Sequence, residues 1–134
     1  MKESIAKQII QAENYLKTRE DIGFAYLFGS LAENRATHLS DVDIAVYLTE
    51  GKFEDKRFQI LGDLIDIFKT DRLDLVILNT AQLMLKMKII QARRILADNF
   101  PYIRNTFESD IIRTYFDFSK MENRILKERY IHGW

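Results

Sequence analysis

Asp41 and Asp43 stand one residue apart at the mouth of the apolar run Ile44–Leu48. Side chains alternate along a strand, so both carboxylates point to the same side. Without a cation between them they would repel, and one would tend to stay protonated. A divalent metal removes that conflict. Mg2+ prefers hard oxygen ligands and usually takes one or two carboxylates together with substrate phosphates and waters. The pair therefore reads as a metal clamp for a nucleotide. On the pair alone, a plainer reading also stands: two surface acids flanking the start of a strand.

The surrounding residues favour the clamp. Gly29-Ser30 directly follows the apolar run 22–28, IGFAYLF. A glycine there lets the backbone turn sharply and come close to a ligand. A serine in the turn offers a hydroxyl and an N–H to a phosphate oxygen. A third acid, Asp74, interrupts the apolar run 72–78, RLDLVIL. A carboxylate embedded in such a strand is costly unless paired or metal-bound. If that strand lies beside the one carrying Asp43, the three acids could hold two metals about 4 Å apart. That arrangement serves both the attacking and the leaving oxygen of phosphoryl or nucleotidyl transfer.

The elements that must position these residues follow from periodicity. Ile5, Ile9, Ala12 and Leu16 mark a helix over 4–18, with Ser4 as a candidate N-cap. Strands are expected at 22–28, 41–48 and 72–78, with a weaker one at 93–97, RRILA. Phe53, Arg57, Phe58, Leu61, Leu64, Ile65 and Phe68 form the stripe of an amphipathic helix over 53–70. Residues 80–90 read as helical. A long helix over about 104–130 turns Phe107, Ile111, Tyr115, Phe118, Ile125 and Leu126 inward. With a turn and short helix between the first two strands, this order makes a small α/β (α+β) domain.

Whole-chain properties bound the function. The 134 residues suit one domain with a single core. The formal net charge of zero gives no bulk attraction to nucleic acid or to an anionic membrane. Residues 1–85 carry 10 basic and 14 acidic side chains, and residues 86–134 carry 10 and 6, so the two parts are oppositely charged. There is no cysteine, hence no disulfide framework or thiolate metal site. No apolar run approaches a membrane span, and no signal-peptide core is present. A cytoplasmic protein is expected.

Gly29-Ser30, ten residues, then Asp41-x-Asp43 resembles the G-S-x10-D-x-D signature of the polymerase-beta-like nucleotidyltransferases. Asp74 stands where that family's third catalytic acid usually stands. The short chain and its final long helix resemble the minimal nucleotidyltransferases (MNT domains), in particular the antitoxins encoded beside HEPN-domain RNase toxins. The resemblance implies a single domain over 1–134, with a small mixed sheet flanked by helices. It implies that Gly29 and Ser30 hold triphosphate oxygens and that Asp41, Asp43 and Asp74 bind Mg2+, Asp74 also serving as base. AMP would pass from ATP to a hydroxyl, a tyrosine of the toxin in the antitoxin group, in a hetero-oligomer. No direct nucleic-acid or membrane contact is implied. Where family members often carry Arg-Gly, this chain has Glu33-Asn34, and Arg35 is the candidate replacement for the loop arginine at the phosphates.

Other residues are open to two readings. Lys86, Lys88, Arg93 and Arg94 suit either a ligand or partner contact or a solvated surface. His38 could touch a phosphate or lie exposed in its loop, and His132 has no visible partner. Among the aromatics, Tyr115 and Phe116 cannot both face a core, which leaves aromatic surface for a partner. Two alternatives to the enzyme acting on a toxin remain: a non-catalytic module that masks it, and transfer to a small molecule such as an aminoglycoside. The chain has no Arg-x4–6-His motif of its own, so it does not read as the RNase.

Overall fold

The computed structural model describes residues 2–32 and 41–131. Its elements are α1 (Lys2–Thr18), β1 (Ile22–Phe28), β2 (Val42–Leu48), α2 (Phe53–Phe68), β3 (Leu73–Ile77), a 3-10 turn (Leu78–Thr80), α3 (Leu83–Gln91), β4 (Arg94–Asp98) and α4 (Pro101–Ile131). The sheet is mixed, in the order β3-β2-β1-β4. β1 runs antiparallel to both β2 and β4, and β2 runs parallel to β3.

Alternation along β2 divides the interior in two. Val42, Ile44, Val46 and Leu48 pack with Ile9, Ala12 and Leu16 of α1 and Ile60, Leu64 and Phe68 of α2. Ala45 and Tyr47 face the other way, towards Phe24, Tyr26, Ile89, Ile90 and Ile111 beneath α3 and α4. With both faces covered, β1 is buried almost end to end, which is why it reads as a continuous apolar run instead of an alternating one.

Polar ties hold the layers together. The Asn99 side-chain amide reaches the carbonyls of Leu16, Arg19 and Ile22 at 3.1, 3.2 and 2.9 Å. Next to it, the Phe100 N–H donates to Gly23 O at 2.9 Å. Asp21 accepts from Arg19 and, at 2.7 Å, from Lys56. Glu108 accepts from the Tyr26 hydroxyl at 2.5 Å and pairs with Arg93 and Arg104.

Most expected elements are present, with some corrections. α1 begins at Lys2, so Ser4 lies inside the helix and is not its cap. On α2, Phe58 is 68% exposed, and the buried positions are Ile60, Leu64 and Phe68. Leu64 and Phe68 are thus inward as expected, with Phe53 and Leu61 packed against the core, and Ile60 takes the place given to Phe58. α2 ends earlier than expected because Lys69 turns left-handed, at φ 56°. The helix expected over 80–90 is present as α3, starting at Leu83 after the 3-10 turn that ends at Thr80. On α4, Phe107 and Ile111 do face inward, but Phe118 and Ile125 are each 41% exposed. The helix runs beyond the body of the domain, so its apolar stripe continues where there is nothing to pack against. The turn and short helix expected between β1 and β2, with Glu33, Asn34, Arg35, His38 and Ser40, fall largely outside the described residues, as does His132.

Candidate active site

One register line assembles the acids. Asp43 is the antiparallel partner of Phe28, the last residue of β1. It is also the parallel partner of Asp74 on β3. β3 thus lies beside β2, as the third-acid reading requires, and the carboxylates of Asp43 and Asp74 share one face of the sheet. That face is the one covered by α3 and α4 farther along the strands. Asp74 is exposed, in contrast to the buried acid expected from its apolar neighbours. β3 is an edge strand, and its first residues lie open at the sheet's rim.

Gly29 explains how the turn and the acid coexist. Its φ is +73°, a conformation side chains rarely adopt. A Cβ built there would also strike the Asp43 carboxylate. Glycine is thus required both by the backbone and by the space Asp43 occupies. Ser30 follows in the same turn, half-exposed.

The electrostatics of the cluster are those of crowded acids. Burial pushes the Asp43 carboxyl above its ordinary range, the charges of Asp74 and Asp41 push it further, and Lys88 pulls it back. Asp41 precedes β2 and is exposed. Its Oδ1 accepts from Arg72 Nε at 3.2 Å. Among the described residues, no three carboxylates or histidines gather closely enough to close round a metal. The donor set nevertheless fits a hard cation: oxygen ligands only, with two carboxylates in register and a third at the strand mouth.

The four basic residues singled out in the second half of the chain separate. Arg93 is tied to Glu108 and to Ile90 O, and Arg94 pairs with Glu13 at 3.7 Å. Lys86 lies over the Phe107 ring. Lys88 is the one whose charge bears on Asp43. Sequence reasoning missed Arg72, although a signal was there: two residues before Asp74 on an extended chain, it falls on the same face. An open groove of about 720 Å³ runs between Tyr47, Leu83, Lys86 and Phe107, and includes none of the three acids.

A left-handed glycine turn packed against Asp43, with Asp43 and Asp74 held in register on neighbouring strands, is the arrangement this fold brings together. The chain belongs to the polymerase beta nucleotidyltransferase family, whose model matches residues 10–100. No curated protein matches it. Among solved structures, it is similar to a chain of a toxin–antitoxin complex with AMP-PNP, at 22% identity and a TM-score of 0.70, over 91% of this chain and 95% of that one. It is also similar to a chain of the complex of a tri-AMPylated Shewanella oneidensis HEPN toxin with an MNT antitoxin. There the identity is 21% and the TM-score 0.64, over 90% of this chain and 97% of that one. A chain of the MntA-HepT toxin–antitoxin is likewise 21% identical, with a TM-score of 0.63, over 96% of this chain and 97% of that one. At these identities the likeness is one of fold.

Proposed function

We propose that this protein is an antitoxin that transfers AMP from ATP to a tyrosine hydroxyl of a cognate HEPN toxin, acting as one domain in the cytoplasm. The observation that carries this reading is the register of Asp43 with Asp74 beside the Gly29 slot. The toxin–antitoxin complexes that share the fold, one with AMP-PNP and one with an AMPylated toxin, support the choice of nucleotide and partner.

In this mechanism Asp41, Asp43 and Asp74 hold Mg2+, which when bound neutralises phosphate oxygens and polarises the α-phosphate. Ser30 and the Gly29 backbone hold the triphosphate, joined by Arg35 from the loop. Asp74 accepts the proton of the attacking hydroxyl, which matters because a tyrosine with pKa near 10 is protonated at pH 7. The tyrosine oxygen bonds to the α-phosphorus, the bond to the β-phosphate oxygen breaks, and pyrophosphate leaves. The toxin docks on the part of α4 that extends past the domain, where Phe116 is 58% and Met121 48% exposed.

The test is stoichiometric, because an enzyme disarms many partners and a mask only one. Sub-stoichiometric protein with ATP and Mg2+ is expected to stop the RNase activity of the toxin and to add AMP to it, read by intact mass. The Asp41→Asn, Asp43→Asn double variant is expected to bind the toxin yet fail at low ratio. Equal protection by the double variant at every ratio would replace catalysis with masking.

A further inference from the structure

Arg72 is the only residue among those described that contacts a carboxylate of the acid trio as an ion pair, at 3.2 Å from Asp41. Its position is built into the sheet. Its carbonyl accepts the Val42 N–H at 2.9 Å, and its own N–H donates to the Thr70 hydroxyl at 3.1 Å. The backbone that carries Arg72 is thereby fixed alongside the backbone that carries Asp41. Meanwhile Asp43 and Asp74, one rung further into the sheet, have no basic partner in contact among the described residues. The guanidinium therefore occupies one acid of the three.

We infer that Arg72 is a latch on the metal site: it holds Asp41 away from Asp43 and Asp74 until a divalent cation displaces it. This rests on the reading of the acids as metal ligands. The consequence is competition. Every cation that binds must first break the Arg72–Asp41 pair, so the pair weakens metal binding by the strength of the pair itself. An exposed pair of this kind can supply about a two- to fivefold effect. Arg72 acts through Asp41 and is a positioning residue.

The probe is Mn2+ alone, without nucleotide or toxin, with binding followed by calorimetry on the wild type and on Arg72→Gln. The latch predicts a dissociation constant about two- to fivefold lower in the variant, at unchanged stoichiometry. An equal or higher constant in a variant with wild-type far-ultraviolet circular dichroism would overturn it. A second readout needs no variant. In a Mg2+ titration, the Arg72 Nε–H resonance should lose its protection from solvent exchange as the Asp43 and Asp74 amides shift. If those amides shift while the Arg72 resonance stays protected, the latch is wrong and the metal site stands. If neither moves and no Mn2+ binds, the metal reading itself falls, and the latch with it.

Discussion

Gly29 and Ser30 show how much a single side chain decides at this site. Because a Cβ at position 29 would meet the Asp43 carboxylate, Gly29→Ala displaces an acid as well as straining a turn. Transfer activity is expected to collapse in Gly29→Ala, with a loss of about 1–2 kcal/mol in folding stability from the left-handed backbone, read by urea denaturation. Ser30→Ala should fold normally and lose one phosphate hydrogen bond. If that bond is charge-assisted it is worth about 1.5–3 kcal/mol, seen as weaker ATP binding by calorimetry. Asp43→Asn is expected to abolish transfer while the metal-free protein holds or gains stability. The sign follows from the raised pKa of Asp43: between its ordinary and raised values the folded state binds the extra proton, so its contribution worsens as pH rises. Thermal melts of both proteins at pH 7 without metal check this. Asp41, Asp43 and their spacing from Gly29-Ser30 were legible in the sequence. Arg72 was legible only as a residue on the face of Asp74, and its pair with Asp41 was not, because that depends on which strand neighbours which.

Strand positions were the most legible elements, because both their apolar runs and their turn residues are local. β1 is found over the residues expected, and β2, β3 and β4 within one or two. The helices were harder. Helical periodicity marks an apolar stripe but does not say where the body beneath it ends, so Phe118 and Ile125 looked like core. The same misreading identifies a handle. Among the described residues, none from 118 onward packs in either core cluster, whose last member is Ile111. A protein lacking residues 118–134 is expected to melt within a few degrees of the full chain and to keep its ATP binding. In a pull-down it should lose the toxin. Retained toxin binding would move the docking surface elsewhere, with the groove between Tyr47 and Phe107 the next place to look.

For the molecule as a whole, acid sensitivity should be set far from the site. Asp21 is 8% exposed and gripped by Arg19 and Lys56. Its bond from Arg19, with the help of Lys56, holds its carboxyl well below the usual carboxylate range. A depressed pKa contributes stability that is present above the ordinary value and lost as pH falls through it. Unfolding free energy should therefore decline from about pH 5 downward. Asp21→Asn should flatten that decline and cost about 1.5–3 kcal/mol at neutral pH, by urea denaturation at several pH values. Nothing in the sequence marked Asp21, because Arg19 two residues before it is an ordinary turn neighbour and Lys56, 35 residues on, reaches it only through the packing of α2.

The amide of Asn99 has a bearing on how the chain is made. It binds carbonyls 77 to 83 positions earlier, at the end of α1 and the start of β1. A nascent chain that stops short of it lacks the tie that fixes the end of α1 to the start of β1. One face of the sheet can close once residue 99 emerges. The opposite face, with Phe24 and Tyr26, is met first by Ile89 and Ile90 of α3 and is completed only when Ile111 arrives with α4. Synthesis from the amino terminus thus delivers the central strand early and the last part of its second cover, α4, late. A half-made copy carries the acids of the site but presents a sticky apolar sheet, and such intermediates are the ones chaperones bind and proteases clear.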